Sequence, residues 1–432
     1  MTKKHETSRR NFLKGGFLAA GAMAVPSIIP SSAFGADGAV APSNRIVMGA
    51  IGLGGMGNGN LGGFLGMKDV VVVGVCDVDQ NHLDAAVKRV NEHYKNQDCK
   101  GYKDYRVLIA RGDLDAVSMA TPDHWHALTA IACARAGIDV YGEKPITHDL
   151  KEGRALCNAF KIHGRVWQTG SWQRSVENFH HACELVRNGR IGKIHTCEVG
   201  LPTGGATDSK PVKPVPPELD WDFWVGPSPC QEYRGESHWN WRWMLDFGGG
   251  QMMDWIGHHC DIAHWGLGFD YTGPVEVEGV AKFPAEGLYD APMEYKYTCT
   301  YTNGVKFTVA NDKQQPMGMG ARWIGDAGWV HVDRGRISSE PAELLREIIG
   351  PNETKLYYSR NHHRNFIDCV KSRQLTITPC EVAHRSASVG HLGQIAMVTG
   401  RKIKWNPEKE EIIGDSGAAA LLGRAYRSPW IL

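Results

Sequence analysis

Arg45-Ile46-Val47-Met48-Gly49-Ala50-Ile51-Gly52-Leu53-Gly54-Gly55-Met56-Gly57 decides the fold. A short apolar strand runs straight into GxGxxG, with its glycines at Gly52, Gly54 and Gly57. Glycine at these places permits a tight turn, close approach of backbone to a pyrophosphate, and close packing of the next helix on the strand. The N-terminus of that helix then faces the phosphates. Glycine-rich turns are common, so the motif gains its weight from context. A second apolar strand, residues 70–75, ends in Cys76-Asp77, twenty residues after Gly57. Asp77 is placed to accept hydrogen bonds from the adenosine ribose, and a carboxylate there repels a 2′-phosphate, so NAD is expected over NADP. The plainer reading of Asp77 is a solvated strand-end turn; the spacing favours the cofactor.

Strands and helices alternate beyond this point. Helices are expected over residues 81–96, 105–111, 123–136 and 149–161, and strands over 114–120, 138–141 and 164–169. That alternation means a doubly wound parallel sheet, and ligands in such sheets bind at the carboxyl ends of the strands. Gly52, Gly54, Gly55, Met56, Gly57, Asp77, Thr121, Pro122, His126, Glu143 and Lys144 lie at or next to those ends and are the expected cofactor contacts. Lysine at a strand end is ordinarily a surface residue. In Gly142-Glu143-Lys144-Pro145, however, the proline fixes φ and removes a donor, which makes a rigid turn beside the nucleotide.

After Gly170 the pattern changes. A helix (residues 176–187) and a strand (194–199) lead into a Pro/Gly-rich loop, residues 201–217, and then an aromatic tract. Seven of the fourteen tryptophans (Trp221, Trp224, Trp239, Trp241, Trp243, Trp255 and Trp265) fall within 45 positions. Some of these read as core and others as platforms for sugar faces. Gly248-Gly249-Gly250 opens a helix through Trp265, and a run of strands follows between residues 275 and 333, with Asn303-Gly304 as a hairpin turn. Adjacent strands joined by hairpins mean a mostly antiparallel sheet. Helices close the chain near residues 363–371 and 379–399.

On the helix, Asp254-Trp255-Ile256-Gly257-His258-His259-Cys260-Asp261 places Asp254 and His258 four apart, hence as neighbours on one face. A carboxylate beside an imidazole orients it and raises its basicity, which suits a general base. A structural His–Asp pair is the plainer reading. A metal site is not expected, because His258 and His259 point about 100° apart. Arg174, Trp241 and Arg242 are expected to position a substrate together with Asp254 and His258.

Length and composition set the bounds. The chain has 432 residues, which implies two domains. The net charge is +1 with no long run of like charge, which argues against a nucleic-acid or anionic-membrane surface. Eleven dispersed cysteines without CxxC read as mostly buried free thiols. The N-terminus carries Ser8-Arg9-Arg10-Asn11-Phe12-Leu13-Lys14, a twin-arginine export pattern, then an apolar run (residues 17–29) and a small-residue cleavage region at Ala33-Phe34-Gly35-Ala36. The apolar run is broken by Pro26 and Pro30 and is shorter than the roughly 20 residues of a membrane span. The expected organisation is a signal over residues 1–36, a NAD-binding Rossmann domain over 37–170, and a substrate and oligomerisation domain over 171–432.

Gly52-x-Gly54-x-x-Gly57, Gly142-Glu143-Lys144-Pro145 and Asp254-x-x-x-His258-x-x-Asp261, in this order, resemble the glucose–fructose oxidoreductase / inositol dehydrogenase (Gfo/Idh/MocA) family. The twin-arginine signal and the tryptophans are similar to its exported bacterial members. The resemblance implies a Rossmann domain followed by an α/β domain with a large open, mostly antiparallel sheet that joins a homodimer or homotetramer. It implies oxidation of a sugar or cyclitol hydroxyl with NAD(P), with Lys144 contacting the reacting hydroxyl, His258 as acid/base and Asp254 as supporting carboxylate. Some members have tyrosine at the place of His258. A related group uses NAD for redox-neutral glycoside cleavage without the Glu-Lys-Pro lysine, so Lys144 favours a dehydrogenase. Two alternatives stay open: a redox-neutral glycosidase or lyase, and a non-catalytic sugar-binding protein on the same fold. Export to the periplasm implies a cofactor that stays bound and is recycled.

Overall fold

The structure is a computed structural model that describes residues 40, 41 and 44–432. The signal expected over residues 1–36 lies outside the described residues. Strands β1 (Ile46–Ile51), β2 (Val70–Cys76), β3 (Lys100–Tyr102), β4 (Ala116–Met119), β5 (Asp139–Gly142) and β6 (Trp167–Thr169) form one sheet in the order β3-β2-β1-β4-β5-β6, with every pairing parallel. This is the doubly wound order whose switch point lies between β1 and β4. Val70, Val72 and Val75 of β2 are buried on one side of the sheet and Cys76 on the other, as a strand covered on both faces requires. Helices return between the strands, and acids cap some of their starts: Asp79 accepts from the N–H groups of Asn81 and His82, and Asp149 from that of Glu152.

The second sheet is built from β7 (Ile194–Leu201), β8 (Glu276–Lys282), β9 (Glu294–Thr300), β10 (Lys306–Asn311), β11 (Gly320–Gly325), β12 (Gly328–Asp333), β13 (Arg336–Glu340), β14 (Ile403–Asn406) and β15 (Glu411–Ile412). Its order is β13-β12-β11-β7-β10-β9-β8-β14-β15, antiparallel throughout except for β7 with β10. Tyr295, Tyr297 and Cys299 alternate inward along β9 and are buried, while Glu294 and Lys296 face out. The fold class read from the sequence is the one observed.

Two helices from late in the chain pack into the core of the first sheet's domain. His362–Ser372 sends Phe366, Ile367 and Val370 into the first domain's core. Cys380–Thr399 places Ala383 and Ala387 in the first domain's core and Val389 and Leu392 in the second's. Small residues allow this: a Cβ on Gly393 would stand 2.6 Å from the Tyr297 ring. Arg154 fixes the junction, with bidentate bonds to Glu381 and to Glu410. All eleven cysteines are free, and ten are buried. Among the described residues no helix is long and apolar enough to cross a membrane.

Candidate active site

The cleft lies at the carboxyl ends of β1, β2, β4 and β5. Gly52 has φ +79°, and a Cβ there would meet the Ala120 carbonyl at 2.6 Å. A Cβ on Gly57 would stand 1.8 Å from the Gly52 carbonyl oxygen, so this glycine lets the helix Gly55–Leu65 pack onto its own turn. At Gly54 and Gly55 a Cβ would meet no protein atom within 4 Å. They line an open cradle at a helix N-terminus, the shape a pyrophosphate fills. Asp77 holds the turn, its Oδ2 accepting from Leu53 N–H at 2.7 Å and its Oδ1 from Asp79 N–H at 2.9 Å. The same carboxylate lies on the cleft wall, where its remaining lone pairs suit a ribose diol. These residues fit NAD.

Met56, Thr121, Pro122, Glu143 and Lys144 also line the cleft. His126 does not. It is buried, with Nδ1 2.7 Å from the Pro145 carbonyl and Nε2 2.9 Å from the Thr121 carbonyl, so it ties two cleft loops together from behind the cleft wall. Gly57 likewise serves packing and lies off the cleft wall. Glu143 is buried and accepts from Asn60 Nδ2 at 2.9 Å; burial pushes its carboxyl above the usual range.

The opposite wall comes from the aromatic tract. Residues 218–224 dock on the first domain: Gln80 N–H donates to the Glu218 carbonyl, Asp220 N–H donates to the Val78 carbonyl, and Phe223 stacks on Trp125 at 5.2 Å. Trp221 and Trp224 stack at 4.8 Å and are core, whereas Trp239 is 62% exposed at the cleft rim, against His82.

The pairing expected between Asp254 and His258 is not formed. The helix that begins Gly250–Trp255 continues as a π-helical turn over Ile256–Cys260 and returns to α over Asp261–Leu267. A π turn takes an extra residue, so positions four apart no longer share a face. Asp254 instead faces Lys144, whose Nζ donates to Asp254 Oδ1 and to its backbone carbonyl, both at 2.8 Å. Arg242 donates to the same Oδ1 at 3.1 Å and lies over Trp241 at 4.4 Å. Burial works to raise the Asp254 carboxyl, but Lys144 and Arg242 together hold it below the usual range, so it is ionised. Trp241, Arg242 and Asp254 all lie on the cleft wall. Gly257 makes the approach possible, because a Cβ there would stand 2.8 Å from Lys144 Cβ.

His258 lies off the cleft wall, between Trp172 (6.2 Å between ring centroids) and Trp255 (5.5 Å), and is 5% exposed. Its Nδ1 is buried with no hydrogen-bond partner among the described residues. Burial, then Lys144 and Arg334, keep the imidazole well below its ordinary value, so it is neutral at pH 7.

Arg174 is not a substrate residue. It is buried, with Nε and Nη2 on the Asp261 carboxylate at 2.7 and 2.9 Å and Nη2 on Asp270 at 2.8 Å. Asp261 is thereby part of the frame. Sequence reasoning missed Gly257, Trp172 and Arg334. A glycine inside a helical pattern was a usable signal for the first; nothing local marks the other two.

A model of an oxidoreductase family's NAD-binding Rossmann fold matches residues 46–171, and a model of that family's C-terminal alpha/beta domain matches residues 202–432. The chain is 28% identical over 382 residues to myo-inositol 2-dehydrogenase of Thermotoga maritima, covering 85% of this chain and 99% of that one. It is 30% identical over 211 residues to a glycosyl hydrolase family 109 protein of a Shewanella species, covering 44% of this chain and 45% of that one. Among solved structures, the WlbA dehydrogenase of Bordetella pertussis in complex with NADH and UDP-GlcNAcA shares the fold, with a TM-score of 0.62 at 18% identity over 84% of this chain and 99% of that one. With both domains matched and the glycine-rich cradle intact, this chain belongs to the Gfo/Idh/MocA oxidoreductase family and carries an NAD-binding Rossmann domain.

Proposed function

We propose that this protein oxidises or reduces a hydroxyl or keto group of a sugar or glycoside, with NAD held tightly in the cleft and recycled there. One observation carries the reading: Lys144 Nζ, locked at 2.8 Å on Asp254, sits where the cofactor cleft meets the second domain. NAD supplies the hydride acceptor. Lys144 is the donor for charge developing on the reacting oxygen. The proton acceptor in this reading is His258, neutral at pH 7, which lies off the cofactor cleft between Trp172 and Trp255 and so requires the sugar to reach that aromatic pair. Asp254 and Arg242 fix the lysine so that little reorganisation accompanies the step.

The resemblance of residues 8–14 to a twin-arginine signal supports export of the folded protein to the periplasm with its cofactor inside. The reading includes a homo-oligomer joined through the open face of the second sheet; a monomer mass by light scattering removes that part. The test is to isolate the exported protein, assay it for bound nucleotide, and screen sugars and glycosides by mass spectrometry for keto or lactone products. A protein that emerges empty and binds no NAD at millimolar concentration defeats the proposal. Similarity to a glycosyl hydrolase family 109 protein favours a second reading, redox-neutral cleavage through a keto-sugar. Aglycone release without net NADH identifies that outcome.

A further inference from the structure

Arg334 occupies the turn between β12 and β13, within Asp333-Arg334-Gly335. Its guanidinium carbon lies 4.8 Å from the Trp172 ring centroid and 4.4 Å from that of Trp255. Both indoles are half-buried, and Arg334 itself is exposed. Asp333 and Asp254 act on its charge from a distance, but among the described residues no carboxylate lies within 4.0 Å of it. Its hydrogen-bond partner is a neutral oxygen, Gln173 Oε1, 3.4 Å from both Nε and Nη2. The contrast with its neighbours is sharp. Arg242 shares Asp254, and Arg174 holds both Asp261 and Asp270. The rings that hold Arg334 are also those that flank His258. A cation without a contact ion pair and the neutral imidazole therefore share one aromatic wall.

An aromatic wall suits the apolar face of a sugar ring. A guanidinium fixed over it, with most of its N–H groups free of protein partners and no carboxylate in contact, has donors left to hold an anion. A single guanidinium presents a planar two-pronged donor that fits either a carboxylate or a phosphate. Its one positive charge balances the single charge of a carboxylate in full and only part of that of a phosphate dianion. We propose that Trp172, Trp255 and Arg334 form the part of the substrate site that reads a carboxylate on the sugar, so that the protein acts on uronic or similarly acidic sugars in preference to neutral ones. This rests on the oxidoreductase reading above. Binding of such an acid would also neutralise a charge that suppresses the basicity of His258.

The experiment uses the full chain loaded with NAD and matched pairs, glucose with glucuronate and galactose with galacturonate, plus glucose 6-phosphate. Rates and products are followed by mass spectrometry. The expected result is at least a tenfold higher kcat/KM for the uronates. Arg334→Met should then cut the uronate value at least tenfold more than that of its neutral partner, chiefly through KM, and Arg334→Lys should restore part of it. Preference for neutral sugars, equal loss on both members of each pair, or preference for the sugar phosphate overturns the proposal. Thermal unfolding of both variants separates loss of fold from loss of recognition. If no sugar is turned over, the oxidoreductase reading fails first, and calorimetry then decides on binding alone: glucuronate binding abolished by Arg334→Met supports the acidic subsite, and equal binding of glucose and glucuronate overturns it.

Discussion

Lys144 Nζ is held on two oxygens of Asp254, the Oδ1 and the backbone carbonyl, each at 2.8 Å, so one lysine from the first domain is fixed by one residue of the second. Lys144→Met keeps the side chain's length without its charge. It should lower kcat about 10²- to 10³-fold while NAD remains bound. Asp254→Ala should behave differently, because it leaves Lys144 and Arg242 without their shared counter-charge. Stability should fall by about 3 kcal/mol in addition to the loss of rate. Urea unfolding of both variants separates the two effects; equal stability loss in both contradicts this division of roles.

His258 is kept neutral by burial first and then by the positive charges of Lys144 and Arg334. The base form is present above its depressed value and is lost as pH falls through it. The acid limb of kcat/KM should therefore lie below 6.5, the ordinary value. Lys144→Met and Arg334→Met should each move that limb upward. A limb above 6.5 in the parent protein excludes His258 as the base.

The glycine-rich turn separates fold from ligand. Gly57→Ala drives a methyl group to 1.8 Å from the Gly52 carbonyl and should prevent folding of the first domain. Gly54→Ala meets no protein atom within 4 Å and should fold as the parent does. The methyl group then intrudes only on the cofactor, so NAD affinity should fall about tenfold or more, or about 1.4 kcal/mol. Thermal scans with and without NAD read both effects. A Gly54→Ala protein with parent-like NAD affinity removes the cradle from the pyrophosphate site.

Much of this was legible because local patterns and global fold agree. Period-two and period-3.6 patterning, the turn at Gly52 and the strand-end acid at Asp77 all specify one Rossmann half. The site was less legible where tertiary structure overrode local geometry. The spacing of Asp254 and His258 assumed a regular α-helix, and the π turn at Ile256–Cys260 redirected the carboxylate to Lys144. Arg174 read as a substrate residue because its two partners, Asp261 and Asp270, lie 87 and 96 positions away. Arg334 escaped altogether: Asp333-Arg334-Gly335 reads as an ordinary turn, and the rings that give it meaning come from Trp172 and Trp255.

Arg174→Met tests the frame. The guanidinium is surrounded by Asp261 and Asp270 with little solvent. Removing it strands two carboxylates, and stability should fall by about 3–5 kcal/mol. Activity measured on the fraction that remains folded should keep the parent KM. A raised KM with unchanged stability would return Arg174 to the substrate site.

His391 tests the bridging helix Cys380–Thr399. It is buried, its Nε2 has no partner among the described residues, and burial, aided by His384, holds it down to about 3. In the unfolded chain it titrates near 6.5. Below that value the unfolded state binds a proton that the folded state refuses, so this group's contribution to stability falls as pH is lowered from about 6.5 toward about 3. At pH 5 the loss relative to pH 7.5 is about 2 kcal/mol. Other buried groups titrate in the same range, among them Glu152, whose carboxyl is raised to about 7 and acts in the opposite sense. The measurement is therefore a difference between two proteins. His391→Gln removes only this titration, so its stability relative to the parent should improve by about 2 kcal/mol between pH 7.5 and pH 5, read from urea midpoints at the two pH values. A difference that does not change with pH shows that His391 is protonated in the folded protein or is reached by solvent.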